Sequence, residues 1–173
     1  MATRTSMTDR MIGAAMLDVA TYEEVEHDQT ATGQAAMVVG IVALARAIGS
    51  LGAGFGVLVG GIVMAFVGWL VWCGITYFIG DELMGGDATW GEVLRAVGFA
   101  QAPGVLAVVG IIPLIGWLVS LAASIWVLVA AFIGLRQALD LDNVKTLITV
   151  VLGWIAMMIL MAIPSMMFGA ALM

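Results

Sequence analysis

The chain has 173 residues, of which 63% are hydrophobic and only 10% are charged, with a mean hydropathy of +1.14. A soluble domain carries about 25% charged residues, so this composition excludes a soluble globular protein and indicates an all-α polytopic membrane protein with one folded unit. A net charge of −6 argues against a nucleic-acid partner, because phosphate binding requires clustered lysine and arginine.

The N-terminal segment, residues 1–32, is polar and acidic and lacks the apolar region of a signal peptide. Within it, residues 6–17 are weakly amphipathic. Polar residues such as Arg10 lie away from three apolar residues at helical spacing: Met7, Met11 and Ala15. An interfacial helix is therefore expected, with a frayed tail as the alternative.

An acidic run follows in the sequence TYEEVEHD. Thr21 and Glu24 have the spacing of a helix-capping box. The run surrounds the only histidine, His27, and contains Glu23, Glu24, Glu26 and Asp28. Such a run is either a solvated face or a docking surface for a partner. A metal site is not expected, because no second histidine or cysteine lies nearby.

Five apolar segments are each close to the ~20 residues that cross ~30 Å of hydrocarbon. Arg46 lies four residues from the far end of the first segment, so its side chain is expected to reach the interface. The glycine run 49–56 is short, and the first two segments could instead form one re-entrant unit. The predicted spans are 33–50, 55–79, 90–111, 114–139 and 144–168.

The segment from residue 85 to 113 is the organising stretch of the sequence. Thr89 and Glu92 form a second predicted capping box, which starts a helix at Trp90. Glu92 and Arg95 are three residues apart, so we expect a charge pair facing the bundle, with Arg95 also able to reach the acids at 81, 82 or 87. Pro103 should kink this helix.

The charges predict the orientation in the membrane. Five spans place the N-terminal tail, the 80–95 segment and the 136–145 loop on one side, with all twelve acids and every basic residue except Arg46. The positive-inside rule then predicts a cytoplasmic N-terminus and an external C-terminus. Soluble partners are expected on the cytoplasmic face, because the outer turns carry almost no polar side chains.

No catalytic arrangement is visible. The serines of the spans lack a histidine partner, and no P-loop is present. The only carboxylate within a predicted span is that of Glu92, one turn into its helix. The thirteen methionines and Cys73 are interpreted as apolar packing in preference to Cu(I) ligands. We therefore predict a protein that is not an enzyme and that has no cofactor or metal.

The order of these features resembles the Yip-one family, the Ypt/Rab-interacting integral membrane proteins, and most closely its prokaryotic members. An acidic tail precedes five closely spaced spans, and Gly85 and Gly86 form a Gly-Gly turn after the second span. Gly98, Phe99 and Pro103 form a Gly-aromatic-x-x-x-Pro element. The loop LRQALDLDNVK separates the last two spans. For the prokaryotic branch, the resemblance implies a fold and a location in the cytoplasmic membrane, but no reaction.

These observations predict a tail (1–32) followed by a five-span transmembrane domain (33–173). The favoured function is a membrane scaffold, adaptor or accessory subunit that docks a membrane or cytoplasmic protein, and the chain could be an oligomer. The alternative is a small transporter or channel component for an ion or lipid-like solute, with Pro103, Pro113 and Pro164 breaking its helices. The candidate docking or structural residues are Glu23, Glu24, Glu26, Gly85, Gly86, Trp90, Glu92, Arg95, Gly98, Phe99 and Pro103.

Overall fold

The computed structural model describes residues 6–49, 55–112 and 115–170, and every regular element within these ranges is helical. A 3₁₀ turn (Gln29–Ala31) precedes α3, a π-helical segment (Phe78–Leu83) follows α4, and a 3₁₀ segment (Ala102–Ile111) follows α5. The α-helices are α1 (Met7–Ala15), α2 (Val19–His27), α3 (Thr32–Gly49), α4 (Phe55–Tyr77), α5 (Trp90–Ala100), α6 (Ile115–Ala138) and α7 (Asn143–Ala170).

The predicted all-α architecture with five spans is confirmed. Five helical stretches are long and apolar enough to cross a membrane, and each overlaps its predicted range. The first two are separate helices and not one re-entrant unit. Ser50 and Pro113 lie outside the described residues, as does the side chain of Pro164. The five stretches are Gln29–Gly49, Val59–Leu83, Trp90–Ile111, Ile115–Ala138 and Asn143–Leu160.

The third span lies at the centre of the bundle. Of its most apolar part, 56% is buried, against 22% to 39% for the other four spans. Every residue of α5 from Val93 to Ala100 is buried, because α5 packs against α2, α3, α4 and α6. The core therefore forms around α5, and the remaining spans surround it.

The third span changes from α-helix to 3₁₀-helix just before Pro103, the residue at which the sequence predicts a kink. The α-helix ends at Ala100, and Pro103 lies at the start of the 3₁₀ segment. Proline lacks the backbone N–H that an α-helix interior requires. The amide of Gly104 instead donates to the carbonyl of Gln101 at 2.7 Å. The tighter helix then runs on to Ile111.

The N-terminal segment packs against the bundle, so the frayed-tail alternative is wrong. α1 and α2 form a hairpin that contacts α5 and α6. Tyr22 is fully buried, and its hydroxyl donates to the carbonyl of Ala14 at 3.1 Å. The indole N–H of Trp126 in α6 donates to the carbonyl of Ala15 at 2.7 Å. The domain boundary at residue 32 stays a prediction.

Large apolar side chains are exposed on the outer faces of α4, α6 and α7. They include Leu70, Trp117 and Trp154, which are 45%, 62% and 57% exposed. On a soluble protein such extended apolar faces would mark contact surfaces. On these spans they are the faces that contact the hydrocarbon of the bilayer.

Candidate functional site

The start of α5 is fixed by its predicted capping box, which the structure confirms. The amide of Thr89 donates to Oε2 of Glu92 at 2.6 Å, and the amide of Glu92 donates to Oγ1 of Thr89 at 3.4 Å. Trp90 is the first residue of the helix and is 40% exposed. Its ring packs edge-on against that of Tyr77, with 6.0 Å between centroids.

Arg95 caps the end of another helix. Its side chain is only 5% exposed, and its guanidinium lies at the C-terminus of α2. Nε donates to the carbonyls of Val25 at 2.9 Å and Glu26 at 3.0 Å, Nη2 also donates to Glu26, and Nη1 donates to Oγ1 of Thr32 at 3.4 Å. The last carbonyls of a helix lack intrahelical partners and carry partial negative charge. Arg95 satisfies two of these carbonyls inside the protein.

The predicted charge pair between Glu92 and Arg95 is therefore wrong, although Arg95 does face the bundle. The Glu92 carboxylate bonds to the amide at the start of its own helix, whereas the Arg95 guanidinium reaches the end of α2. The predicted reach of Arg95 to residues 81, 82 or 87 is also wrong, and Oδ1 of Asp81 accepts from the amide of Ala88 at 3.2 Å. Both charged side chains therefore form hydrogen bonds with backbone groups and not with each other.

Arg10 is the centre of a second buried polar network. The sequence predicts only that this residue lies away from the apolar residues of α1. Its side chain is 4% exposed and joins three elements. Nη2 lies 2.8 Å from Oε1 of Glu24 and 2.6 Å from Oδ2 of Asp28, and Nη1 donates to Gln34 at 3.0 Å. The Thr30 hydroxyl and the Arg10 guanidinium together lower the pKa of Asp28 to about 2. Through these contacts Arg10 holds α1 against α2 and α3.

The capping box predicted at Thr21 and Glu24 is wrong, because α2 begins earlier. Asp18 is its N-cap, and Oδ2 of Asp18 accepts from the amide of Thr21 at 3.2 Å. Glu24 lies within the helix and pairs with Arg10. The sequence contains two acceptable caps three residues apart, Asp18 and Thr21, and the structure uses the earlier one.

Gly85 and Gly86 bring the loop after the second span against the end of α6. Gly85 has a φ of +71°, in the left-handed region that glycine favours. A Cβ on Gly86 would lie 2.8 Å from the carbonyl oxygen of Leu139, so no larger side chain fits without a backbone shift. The next amide, that of Asp87, donates to the same carbonyl at 3.1 Å.

These contacts surround a cavity of about 210 Å³ that we call the acidic cavity. It lies between α2, the loop before α5 and the end of α6. Four of its lining residues are acidic, and none of the described lining residues is lysine or arginine. The lining consists of Glu26, His27, Asp87, Ala88, Thr89, Glu92, Gln137, Ala138 and Asp140.

Glu26 is the buried acid of this cavity. It is 6% exposed, and its Oε2 has no hydrogen-bond partner in the described part of the chain. Burial raises the pKa of Glu26 to about 7, and Asp140, Glu92 and Glu23 act in the same direction, against the opposing effect of His27. Nδ1 of His27 lies 3.4 Å from Oε1 of Glu26 and 2.8 Å from the Glu23 carbonyl, and both neighbours raise the His27 pKa.

We predict that Glu26 makes folding stability pH-dependent. The folded protein keeps the Glu26 proton up to about pH 7, whereas the unfolded chain releases it near its ordinary pKa of 4.5. Stability should therefore fall as pH rises between these values, by roughly 3 kcal/mol at most. His27, with its raised pKa, contributes in the same direction. Glu26→Gln should remove most of the fall, measured by thermal unfolding in detergent from pH 4.5 to 8.5.

The matched control is Glu82→Gln, which removes one charge from an exposed position that does not affect the pKa of Glu26. It should leave the pH dependence almost unchanged. An unchanged profile in Glu26→Gln would show that Glu26 ionises near its ordinary pKa.

The lining of the acidic cavity suits a cationic group. Among the residues that the structure describes, no three histidine, cysteine, aspartate or glutamate side chains come together as a metal site would require. The negative lining instead favours an ammonium or guanidinium group. The volume is below the roughly 300–1,000 Å³ of typical small-molecule sites and corresponds to a single side chain or amine.

The remaining candidate residues are separate from this cavity. Gly98 is buried against α3, where a Cβ would lie 2.7 Å from that of Ala35. Phe99 is fully buried in the core, and Pro103 marks the change of helix type. Glu23 is exposed, and its Oε1 accepts from Gln137 at 2.9 Å. Of the predicted set, only Glu26 and Glu92 line the acidic cavity.

Five apolar spans, four of them arranged around the buried third span, define a multi-pass α-helical membrane protein. Within this class, the chain belongs to the family of the Yip1 domain, whose family model matches residues 16–163. The resemblance seen in the sequence is thus confirmed. Comparison with curated proteins and with solved structures gives no match.

Proposed function

We propose that this protein is a membrane adaptor or accessory subunit that binds a basic segment of a protein partner at the acidic cavity. The observation that carries the proposal is the combination of four acids, no lysine or arginine among the described lining residues, and a buried carboxylate oxygen without a hydrogen-bond partner in the described part of the chain. A lysine or arginine entering the cavity would satisfy Oε2 of Glu26. Membership of the Yip1 domain family is consistent with this role.

The cavity is proposed to face the cytoplasm. Its walls come from the end of α2, the start of α5 and the end of α6, which a five-span path places on one side. That side also carries all the acids and most of the basic residues, including Arg136 and Lys145. The positive-inside rule supports a cytoplasmic position for these segments and an external C-terminus.

The alternative function, a small transporter or channel component for an ion or lipid-like solute, takes second place. Ion-coupled carriers use carboxylates embedded in their spans. Glu92 is the only acid after the start of α5 and before residue 140, and its Oε2 accepts from the amide of Thr89. This arrangement favours docking over ion coupling.

A binding measurement tests the adaptor proposal. The full chain in sealed membrane vesicles is titrated with a fluorescent peptide that carries two lysines. Asp87→Asn combined with Asp140→Asn should weaken binding at least about tenfold, equivalent to about 1.4 kcal/mol. Both residues line the cavity, and asparagine suits the positive φ of 50° at position 140.

The matched control combines Glu23→Gln with Glu82→Gln, which removes the same charge from exposed positions that do not line the cavity. It should change binding less than twofold. Binding should occur in inside-out vesicles and not in right-side-out vesicles. Equal losses in both double variants would show non-specific attraction to an acidic surface, and binding only to right-side-out vesicles would reverse the orientation.

A further inference from the structure

A second polar site lies inside the membrane-spanning part, around Arg46. This residue is in the last turn of α3, three residues before its end at Gly49. The sequence predicts that its side chain reaches the interface. In the structure it lines two cavities, one of about 270 Å³ shared with Ser120 and Ser124, and one of about 180 Å³ shared with Trp69 and Gln101.

A few polar side chains lie among the mainly apolar residues that line the two Arg46 cavities. Trp69 is 7% exposed, and its indole N–H has no acceptor among the described residues. Gln101 and Ser120 each provide a further polar group, and Ser124 donates to the carbonyl of Ser120 at 2.8 Å. None of the described lining residues of either cavity is acidic. Arg46 gives the site a positive charge, and the Trp69 indole adds a hydrogen-bond donor, a combination that suits an anion.

An apolar surface continues from this polar region. A third cavity, of about 170 Å³, shares Gln101 and Ser124 with the first two and adds Leu128 and Trp154. The side chains of Leu128 and Trp154 are 44% and 57% exposed on the outer face of the bundle. A ligand here could place a charged group beside Arg46 and extend a hydrocarbon chain along this surface toward the lipid.

We propose that this site binds one acidic phospholipid, with its phosphate against Arg46 and an acyl chain along Leu128 and Trp154. Charge complementarity and the apolar continuation together identify this ligand class, since a free phosphate would leave the apolar surface unused. Arg46 is close to the end of α3 opposite the acidic cavity, so the lipid comes from the leaflet on that side. The inference does not rest on the adaptor function.

Lipid-dependent stability tests the proposal. Delipidated full-length protein in neutral detergent is heated with phosphatidylglycerol, phosphatidylcholine or inorganic phosphate. Phosphatidylglycerol at about 100 times its dissociation constant should raise the melting temperature by roughly 5–10 °C. Phosphatidylcholine should give less than about a third of this shift, and inorganic phosphate should give almost none. Native mass spectrometry of the wild-type protein should show one phosphatidylglycerol bound in preference to phosphatidylcholine.

Two arginine variants locate the effect. Arg46→Gln should remove the shift, whereas Arg46→Lys should retain at least half of it because the positive charge remains. Arg136→Gln, an exposed position that lines none of these cavities, should retain the full shift. Equal stabilisation by the two lipids, a shift retained in Arg46→Gln or no bound lipid in the wild-type spectrum would overturn the proposal. If Arg46→Gln does not fold, the native mass spectrum of the wild-type protein tests the proposal.

Discussion

Replacing Arg95 with leucine is expected to lower the free energy of unfolding by about 3–5 kcal/mol. The variant leaves two carbonyls at the end of α2 inside the protein without a donor, and each such group costs roughly 1–3 kcal/mol. It also removes a positive charge from the negative end of a helix. Thermal unfolding in a mild detergent measures the loss.

Three further variants test whether the loss comes from the hydrogen bonds between Arg95 and the end of α2. Arg95→Lys should recover part of the stability, because one ammonium can still bond to a carbonyl. Arg136→Leu, at an exposed position, should change stability by less than about 0.5 kcal/mol. Glu92→Gln should cost less than about 1 kcal/mol, and its effect should add to that of Arg95→Leu. A coupling energy above about 1 kcal/mol would restore the ion pair expected from the sequence.

The spans and the start of α5 could be predicted from the sequence because their signals are local. An apolar run of about 20 residues identifies a span without knowledge of its neighbours. Thr89 and Glu92 cap α5 through atoms within four residues of each other. Pro103 likewise acts on its own helix, by removing a backbone donor.

The role of the two buried arginines could not be predicted, because their partners are distant or have no sequence signature. Arg95 binds backbone carbonyls about 70 residues earlier in the chain, and any residue type provides a carbonyl. Arg10 meets Glu24 and Gln34 only because α1 folds back on the bundle. Sequence spacing therefore favoured Glu92, the nearest opposite charge, as the partner of Arg95. In the structure the Glu92 carboxylate instead accepts from the amide of Thr89.

Two of the four acids that line the acidic cavity, Glu26 and Glu92, are among the candidate residues that the sequence indicates. The acidic run of α2 could be read as a docking surface, and Glu26 does line the cavity. The same run also contains Glu24, which is used in a structural ion pair. Asp87 joins Asp140 only through the turn at Gly85 and Gly86, which brings the loop onto the end of α6, and Glu26 meets them because α2 packs on α6. That approach depends on packing between segments about 50 residues apart.

Gly98 determines how closely α5 and α3 pack, and Gly98→Leu is expected to cost at least about 3 kcal/mol. Even a single Cβ at this position would lie 2.7 Å from Cβ and 3.2 Å from Cα of Ala35. Because the second of these atoms is backbone, a side-chain rotation cannot relieve the clash. Small residues permit such close approach of helices in membranes. Thermal unfolding of Gly98→Ala and Gly98→Leu should show a graded loss.

A compensating substitution tests whether this contact is the cause. Ala35→Gly removes the nearer of the two clashing atoms, so it should recover a large part of the stability that Gly98→Ala loses. Gly33→Ala, in the same helix as Ala35, is the control, because a Cβ there meets nothing within 4 Å and alanine should stabilise the helix by about 0.5–1 kcal/mol. A Gly98→Ala variant as stable as Gly33→Ala would contradict the close contact between Gly98 and Ala35. The helices α3 and α5 would then lie farther apart, and the other neighbours of α5 would have to explain its central position.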